Sequence, residues 1–502
     1  MISSRMRRET PPRREPAGTL SGGVAVVLAL GFALGLALGG CEVGPDYRRP
    51  NAPAPGAYQE ARAGDASWRP SAPQDEIDRG AWWAIFDDAE LDRLERQIAI
   101  SNQNVKQYEA AYAQAVAVLH EAQASFYPSL GVSAGAQRGG GGGGTASVSS
   151  TVGSGAGGTT HTEFTLEAQV SWTPDLWGGI RRQVESRRAG AEVSKAQLAN
   201  ARLSAQVSLA SDYFDLRAAD SLRSILARSI ALDERLVEIT DNQFESGTAS
   251  NGDLAAAKAQ LAGAEAQLVA VDQQRGTYEH AIAVLTGHLP SELQVAAAPL
   301  AATVPVVPVA IPSTLLERNP AVAAAERQMQ EENALIGVAK AAYFPSLSLT
   351  ALGGYAGNPL ASLLKLGNRI WSLGASASDT VFQGGYQVAA VASARATYDE
   401  YVAIYRETVL TSFQQVEDEL LALRVLQNEA QHEDTAVQSA QLAADVALNE
   451  FNAGTAIYTT VIAAIQTLLA DQEAALTIQQ NRLVATVTLI GALGGGWDAK
   501  AP

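Results

Sequence analysis

The residue type here that most invites covalent chemistry is the single thiol. Cys41 is the only cysteine among 502 residues, so neither an intramolecular disulfide nor a cysteine-based zinc site can form. The five histidines (His120, His161, His280, His288 and His432) are scattered without the spacing of metal ligands. Residues 153–158 (GSGAGG) match a glycine-rich phosphate loop, but the following TTHTEFTLEAQV alternates like a strand. The match therefore lacks the helix N-terminus that such a site needs, and a surface loop is the reading its context supports. No nucleophile, base and orienting partner stand together, so neither enzymatic activity nor a cofactor is expected. With 53 acidic and 36 basic side chains, a net charge of −17, the chain lacks the Lys/Arg excess of a nucleic-acid binder.

The thiol gains meaning from what precedes it. Arg5, Arg7, Arg8, Arg13 and Arg14 lead into an apolar run, Val24 to Leu38, as in a secretory signal. The run ends Leu38-Gly39-Gly40-Cys41, which resembles the bacterial lipoprotein signal. That resemblance implies removal of residues 1–40 and a diacylglycerol on Cys41. An uncleaved anchor with an incidental cysteine is the alternative, although the run is glycine-rich for a spanning helix.

The elements behind this segment form a tandem repeat. Asn102–Leu130 (NQNVKQYEAAYAQAVAVLHEAQASFYPSL) aligns without a gap to Asn319–Leu347 (NPAVAAAERQMQEENALIGVAKAAYFPSL), at an offset of 217. A second block aligns at an offset of 207: Leu216-Arg217 with Leu423-Arg424, Phe244 with Phe451, Gly247-Thr248 with Gly454-Thr455, and Gly287 with Gly494. Proline is absent from Asp175 to Leu289 and from Leu360 to Ala501, leaving room for long uninterrupted helices. Apolar residues in these stretches recur at three and four, as in Leu203, Val207, Ala210 and Phe214, or Phe413, Val416, Leu420 and Leu423. A helix from Arg181 to about Glu245 would extend roughly 95 Å. Gly247-Thr248 and Gly454-Thr455 would fold each long helix back as a hairpin.

Between the helices the period becomes two. Leu130, Val132, Ala134 and Ala136, and Phe164, Leu166, Ala168, Val170 and Trp172, alternate with small or polar residues. So do Leu347, Leu349 and Ala351, and Trp371, Leu373, Ala375 and Ala377. These runs have the length of membrane-barrel strands, with Phe126, Tyr127, Trp172, Trp177, Tyr343, Phe344 and Trp371 near their ends as an interfacial girdle. An ordinary soluble antiparallel sheet is the competing reading. Four strands cannot close a barrel, so strands in a membrane would have to be pooled by several chains. Residues 411–502 hold 11 acidic and only 3 basic side chains. Glu417, Asp418 and Glu419 there suggest either an electronegative lumen or a solvated helix face.

Cys41-Glu-Val-Gly-Pro-Asp-Tyr-Arg-Arg-Pro50, followed by Trp82-Trp83, Phe86, Leu91 and Leu94, resembles the start of OprM/NodT-type efflux lipoproteins. The two repeats, each with a strand pair and a Gly-Thr hairpin, resemble the wider TolC-like outer-membrane factors. The resemblance implies an α+β membrane protein, a homotrimer with a 12-stranded outer-membrane barrel continued by a periplasmic helical tunnel. It implies docking to a periplasmic adaptor and an inner-membrane pump of the resistance-nodulation-division class, contact with outer-membrane lipid, and passage of small molecules without chemistry. On this reading residues 1–40 are the signal, 41–80 an extended lipidated arm, and 81–289 the first repeat with strands at about 129–173. Residues 290–312 form a Pro-rich connector, 313–496 the second repeat with strands at about 346–379, and 497–502 the tail. Cys41 matches the lipidated residue, and Gly247, Thr248, Gly454 and Thr455 match adaptor-contacting tips. The family often places acidic gate residues just past the tip. Asp253 matches in the first repeat, but Thr460 stands there in the second and Ala463 at the next inward position, so the second acidic ring is missing. Phe451 stands where an aromatic gate residue often lies. Asp253 also has a plainer reading, as an exposed residue near a helix start. Two other roles stay open: an exit duct for protein secretion by an ATP-driven exporter, and a non-channel periplasmic coiled-coil lipoprotein.

Overall fold

A computed structural model describes residues 42–51, 58–60, 80–140, 160–305, 307 and 318–495. The signal segment, Cys41, the glycine-rich loop and the C-terminal tail lie outside the described residues. After a short 3₁₀ turn at Trp82–Phe86, the helices are α1 (Ala89–Ser101), α2 (Gln103–Ala124), α3 (Gly179–Glu245), α4 (Asn251–Leu285), α5 (Pro320–Ala341), α6 (Tyr386–Asn452) and α7 (Tyr458–Ala492). The strands are β1 (Ser129–Gly140), β2 (Thr160–Trp172), β3 (Ser346–Gly357) and β4 (Arg369–Ser378).

The repeat is written into these lengths. Helices α3 and α6 each have 67 residues, α4 and α7 each have 35, and α2 and α5 each have 22. The boundaries of α2 and α5, and of β1 and β3, keep the offset of 217, while the paired hairpins keep 207. The same local chemistry starts α2 and α5. Asn102 accepts from the Val105 N–H at 2.9 Å and donates to the Leu285 carbonyl at 2.7 Å. Asn319 accepts from Ala321 N–H at 2.9 Å and donates to Ala492 carbonyl at 3.3 Å. Each asparagine thus caps one helix and ties it to the end of a hairpin.

The chain has two compact units. Among the described residues, the first comprises 42–44, 126–140, 160–182 and 337–387. It contains one antiparallel sheet in the order β1-β2-β3-β4. Gly354 is required there, because a side chain would collide with the Leu166 carbonyl on the paired strand.

The second unit comprises the described residues of 45–125, 183–336 and 388–495. Its main core joins Trp82, Trp83, Leu91, Leu94 and Ile98 to Leu209, Tyr213, Phe214 and Leu216, with Leu483, Val487 and Ile490. The described connector residues are strapped to the helices: Arg275 donates to the Val295 carbonyl at 2.6 Å and Asp220 accepts from Ala298 N–H at 3.1 Å. The N-terminal arm is strapped likewise. Glu417 accepts from the backbone N–H groups of Gln59 at 2.7 Å and Glu60 at 3.0 Å, and Arg424 pairs with Glu60 at 2.5 Å. Arg49 pairs with Glu326 at 3.1 Å and donates to the Tyr405 hydroxyl at 3.2 Å.

Candidate channel wall and hairpin tips

The register of the sheet decides what its two faces are. Leu130 pairs with Val170, Val132 with Ala168, Ala134 with Leu166 and Ala136 with Phe164. Val170 continues to Ala351 and Leu373, and Ala168 to Gly353 and Trp371. One face is therefore an unbroken apolar band, with Leu130, Val132, Trp371 and Leu373 each at least 70% exposed. The band ends at rows bearing Arg138 with Thr162 and Arg369 with Tyr355. From Phe164 to Trp172 it runs about 27 Å along the strand, or roughly 20 Å of height at a tilt of about 40°, most of the ~25 Å apolar belt of a membrane barrel. The opposite face carries Gly131, Ser133, Gly135, Glu163, Thr165, Glu167, Gln169, Ser348, Thr350, Gly354, Ser372, Gly374 and Ser376, with Leu352 and Ile370 as exceptions. An apolar face, fully exposed on β1 and β4 and half-buried on much of β2 and β3, with a small, polar reverse is the two-sided pattern of a lipid-facing wall. At the helix-linked end Trp172 donates to the Phe126 carbonyl at 3.0 Å and Trp177 stacks on Phe344 at 4.8 Å. Trp371 lies nearer the other end of the sheet, so the aromatics form two groups.

The hairpin tips are two copies of one turn. Gly247 and Gly454 adopt φ of 77° and 73°, the left-handed conformation that ends a helix at least cost on glycine. Thr248 N–H donates to the Gln243 carbonyl at 2.8 Å and its hydroxyl donates there at 3.0 Å. Thr455 does the same to Glu450 at 2.9 and 3.0 Å. Both threonine hydroxyls are thus engaged within the turn, and both glycines face open space.

Beyond the turns the copies diverge. Ser250 begins α4 with a capping box: its hydroxyl accepts from Asp253 N–H at 3.1 Å, and Asp253 accepts from Ser250 N–H at 3.1 Å. Ile457 begins α7 with no side-chain cap, and Thr460 occupies the place of Asp253, exposed. Phe451 is 3% exposed and packs edge-on against Tyr458 in a cluster with Leu236, Ala257, Val461 and Ile465. Its ring is a piece of hairpin core here, whereas Phe244, its counterpart, is 41% exposed. Near this cluster lies Asp233, only 2% exposed. Burial pushes its carboxyl up to about 6, opposed by the Gln260 side chain; its oxygens have no hydrogen bond of ordinary geometry. Burial also pushes the Tyr458 hydroxyl up to about 12, with Asp233 and Asp253 adding to the shift. Sequence reasoning did not single out Asp233, because an acid in a helical face looks solvated until the neighbouring hairpin is placed. Glu417 revises the reading of the acidic segment: both its oxygens hold the N-terminal arm. Among the described residues no group of three His, Cys, Asp or Glu side chains could hold a metal.

Comparison with known proteins gives this architecture its class. The outer membrane efflux protein family matches residues 94–288 and 311–495, once for each repeat. The chain belongs to that family, and it is an outer-membrane component of an efflux system. It is 28% identical to the pyoverdine export outer membrane protein OpmQ of Pseudomonas aeruginosa, over 89% of this chain and 94% of that one. It is 29% identical to the toluene efflux pump outer membrane protein TtgF of Pseudomonas putida, over 93% and 97%. Among solved structures, the outer-membrane channel OprN superposes with a TM-score of 0.81 at 26% identity, covering 91% of this chain and all of that one. The Campylobacter jejuni CmeC channel superposes at 0.83 and 23% identity, covering 92% and 96%, and shares the fold.

Proposed function

We propose that three copies of this chain close one barrel and pass small organic molecules out of the cell envelope. The supporting observation is the two-faced sheet whose outer edges, on β1 and β4, pair with no other strand among the described residues. In lipid an open edge leaves backbone N–H and C=O groups without partners. Because the strands alternate in direction, β4 of one copy meets β1 of the next antiparallel, so copies can add without breaking the pattern. Two copies would give about eight strands, an interior that side chains fill. Three would give about twelve, and the small reverse face then lines an open passage. The helices offer a second supporting feature. Of the exposed large apolar residues on α6, Val388, Leu410, Leu421, Val425, Leu442 and Val446, 40–66% exposed, fall within roughly 100° of helical arc at 3.6 residues per turn, with Tyr386 and Ile404 outside it. Such a stripe suits packing against a neighbouring copy.

On this reading Cys41 carries the lipid that fixes the chain to the outer membrane. The tips around Gly247, Thr248, Gly454 and Thr455 meet a periplasmic adaptor coupled to an inner-membrane pump of the resistance-nodulation-division class. Asp253 and Thr460 stand beside the tip where a resting gate would close, with Asp253 contributing through its cap, while Phe451 would support that gate only from the hairpin core in which it is buried. Planar-bilayer recording of the purified protein tests the channel: discrete conductance steps are expected. Insertion without conductance would favour a non-channel lipoprotein, and co-purification with an ATP-driven exporter would favour a secretion duct.

A further inference from the structure

We infer that a groove at the helix-linked end of the sheet is the seat of an acyl chain carried by the protein's own N-terminus; this rests on the reading of Cys41 as a lipidated residue. The first described residues are pinned there from three sides. The Glu42 carboxylate pairs with Arg182 at 3.1 Å, and that arginine side chain is only 4% exposed. Val43 N–H donates to the Trp177 carbonyl at 3.2 Å. Gly44, at φ +129°, passes so close to α5 that an added Cβ would stand 2.7 Å from the Gly337 Cα, and one on Gly178 would stand 2.9 Å from Glu42 Cγ. Glycine at these places lets the segment thread between residues 177–182 and α5.

Trp177 belongs to this pin and also to the wall of a cavity of about 510 Å³. Ile180, Val338, Phe344, Leu347 and Tyr386 supply its apolar lining, while Asp379, Gln383 and Gln387 add a polar part. The indole is locked by stacking on Phe344 and by donating to the Pro345 carbonyl at 2.8 Å. An apolar lining with a polar portion suits a fatty chain entering from an ester-bearing glycerol, and the volume falls in the range of small-molecule sites, about 300–1,000 Å³. The occupant is specified by the tether. Cys41 is one peptide bond from Glu42, with Cα atoms about 3.8 Å apart, so its thioether begins within a few ångströms of the pinned segment. Attachment makes occupation intramolecular, so the chain's own acyl group stays within reach of the groove at all times. The groove would hold the anchor against the wall of its own copy rather than leaving it loose in the bilayer.

The test uses the full-length protein expressed in cells fed a photoreactive diazirine palmitate, irradiated in membranes and digested for mass spectrometry. The expected product joins the acylated Cys41 peptide to peptides containing Trp177 or Phe344 of the same copy. Glu42→Ala, which removes the ion pair at a partly exposed site, should lower that product severalfold while the acylated mass persists. An unmodified N-terminal mass would overturn the lipid anchor and the groove together. Three outcomes with acylation intact would overturn the groove alone: cross-links only to bulk phospholipid, cross-links only to a second copy, or an unchanged yield in Glu42→Ala.

Discussion

At the first hairpin tip the chain turns on Gly247, caps the returning helix with Ser250 and Asp253, and buries Asp233 a few turns away. At the second it turns on Gly454 through the same hydrogen bonds, then restarts on Ile457 and Thr460, with Ala440 where the first copy has Asp233. Phe451 is sunk in the shared core while Phe244 faces outward. Duplication therefore preserved the turn and divided the labour around it. The second hairpin supplies most of the apolar cluster, and the first contributes the polar groups set against it. A repeat's backbone chemistry and its side-chain chemistry can separate: identical bonds close both turns, yet the first hairpin buries Asp233, whose carboxyl burial pushes up to about 6, where the second has Ala440.

The largest test of this asymmetry compares the two phenylalanines. Phe451→Ala should cost about 3–5 kcal/mol, as expected for a fully buried ring, and Phe244→Ala under about 1 kcal/mol. Chemical denaturation of the detergent-solubilised protein measures both, and equal losses would break the comparison. Next is the strap on α6. Glu417→Ala removes two charge-assisted hydrogen bonds to the arm, roughly 2–3 kcal/mol in a partly exposed setting, and should expose residues near Gln59 to protease while the helices stay resistant.

The buried acid gives a pH signature. Asp233 holds its proton more tightly when folded, at about 6 against an ordinary 3.8. The folded state is therefore favoured as pH falls from about 6 towards 4, and loses that advantage as pH rises through 6. Asp233→Asn should flatten this slope and stabilise the tip region by about 1–3 kcal/mol at pH 7; hydrogen exchange across α3 and α4 at two pH values reads it. The smallest effect is the cap. Ser250→Ala should destabilise the first tip by about 1 kcal/mol, and Ile457→Ser with Thr460→Asp, which copies the first cap into the second, should stabilise the other by about 0.5–1 kcal/mol. Hydrogen exchange at the starts of α4 and α7 would sharpen or refute the equivalence of the two sites.

Much of this fold is legible in the residues because its signals are local or periodic. The matched blocks carry directly into helices of equal length, proline-free stretches into the 67-residue helices, and the period of two into strands whose apolar residues share one face. What stayed hidden depends on partners far along the chain. Glu417 reads as one of three adjacent acids until Gln59 and Glu60, more than 350 residues away, are laid against it. Phe451 reads equally well as a lumen aromatic or a core ring, since helical periodicity says that a face is covered and not by what. Asp253 was singled out for its charge near the tip, and its bonds with Ser250 add a local role that the Ser-x-x-Asp spacing itself announces.

The central claim is that separate copies pool their four-stranded sheets into one wall. Native mass spectrometry of the protein extracted from membranes in mild detergent tests it most directly, because it reports the number of copies and any added lipid mass together. Three copies, each carrying acyl mass on Cys41, are expected. A monomer or dimer that persists after gentle extraction would leave four or about eight strands, too few for an open passage, and would contradict the claim.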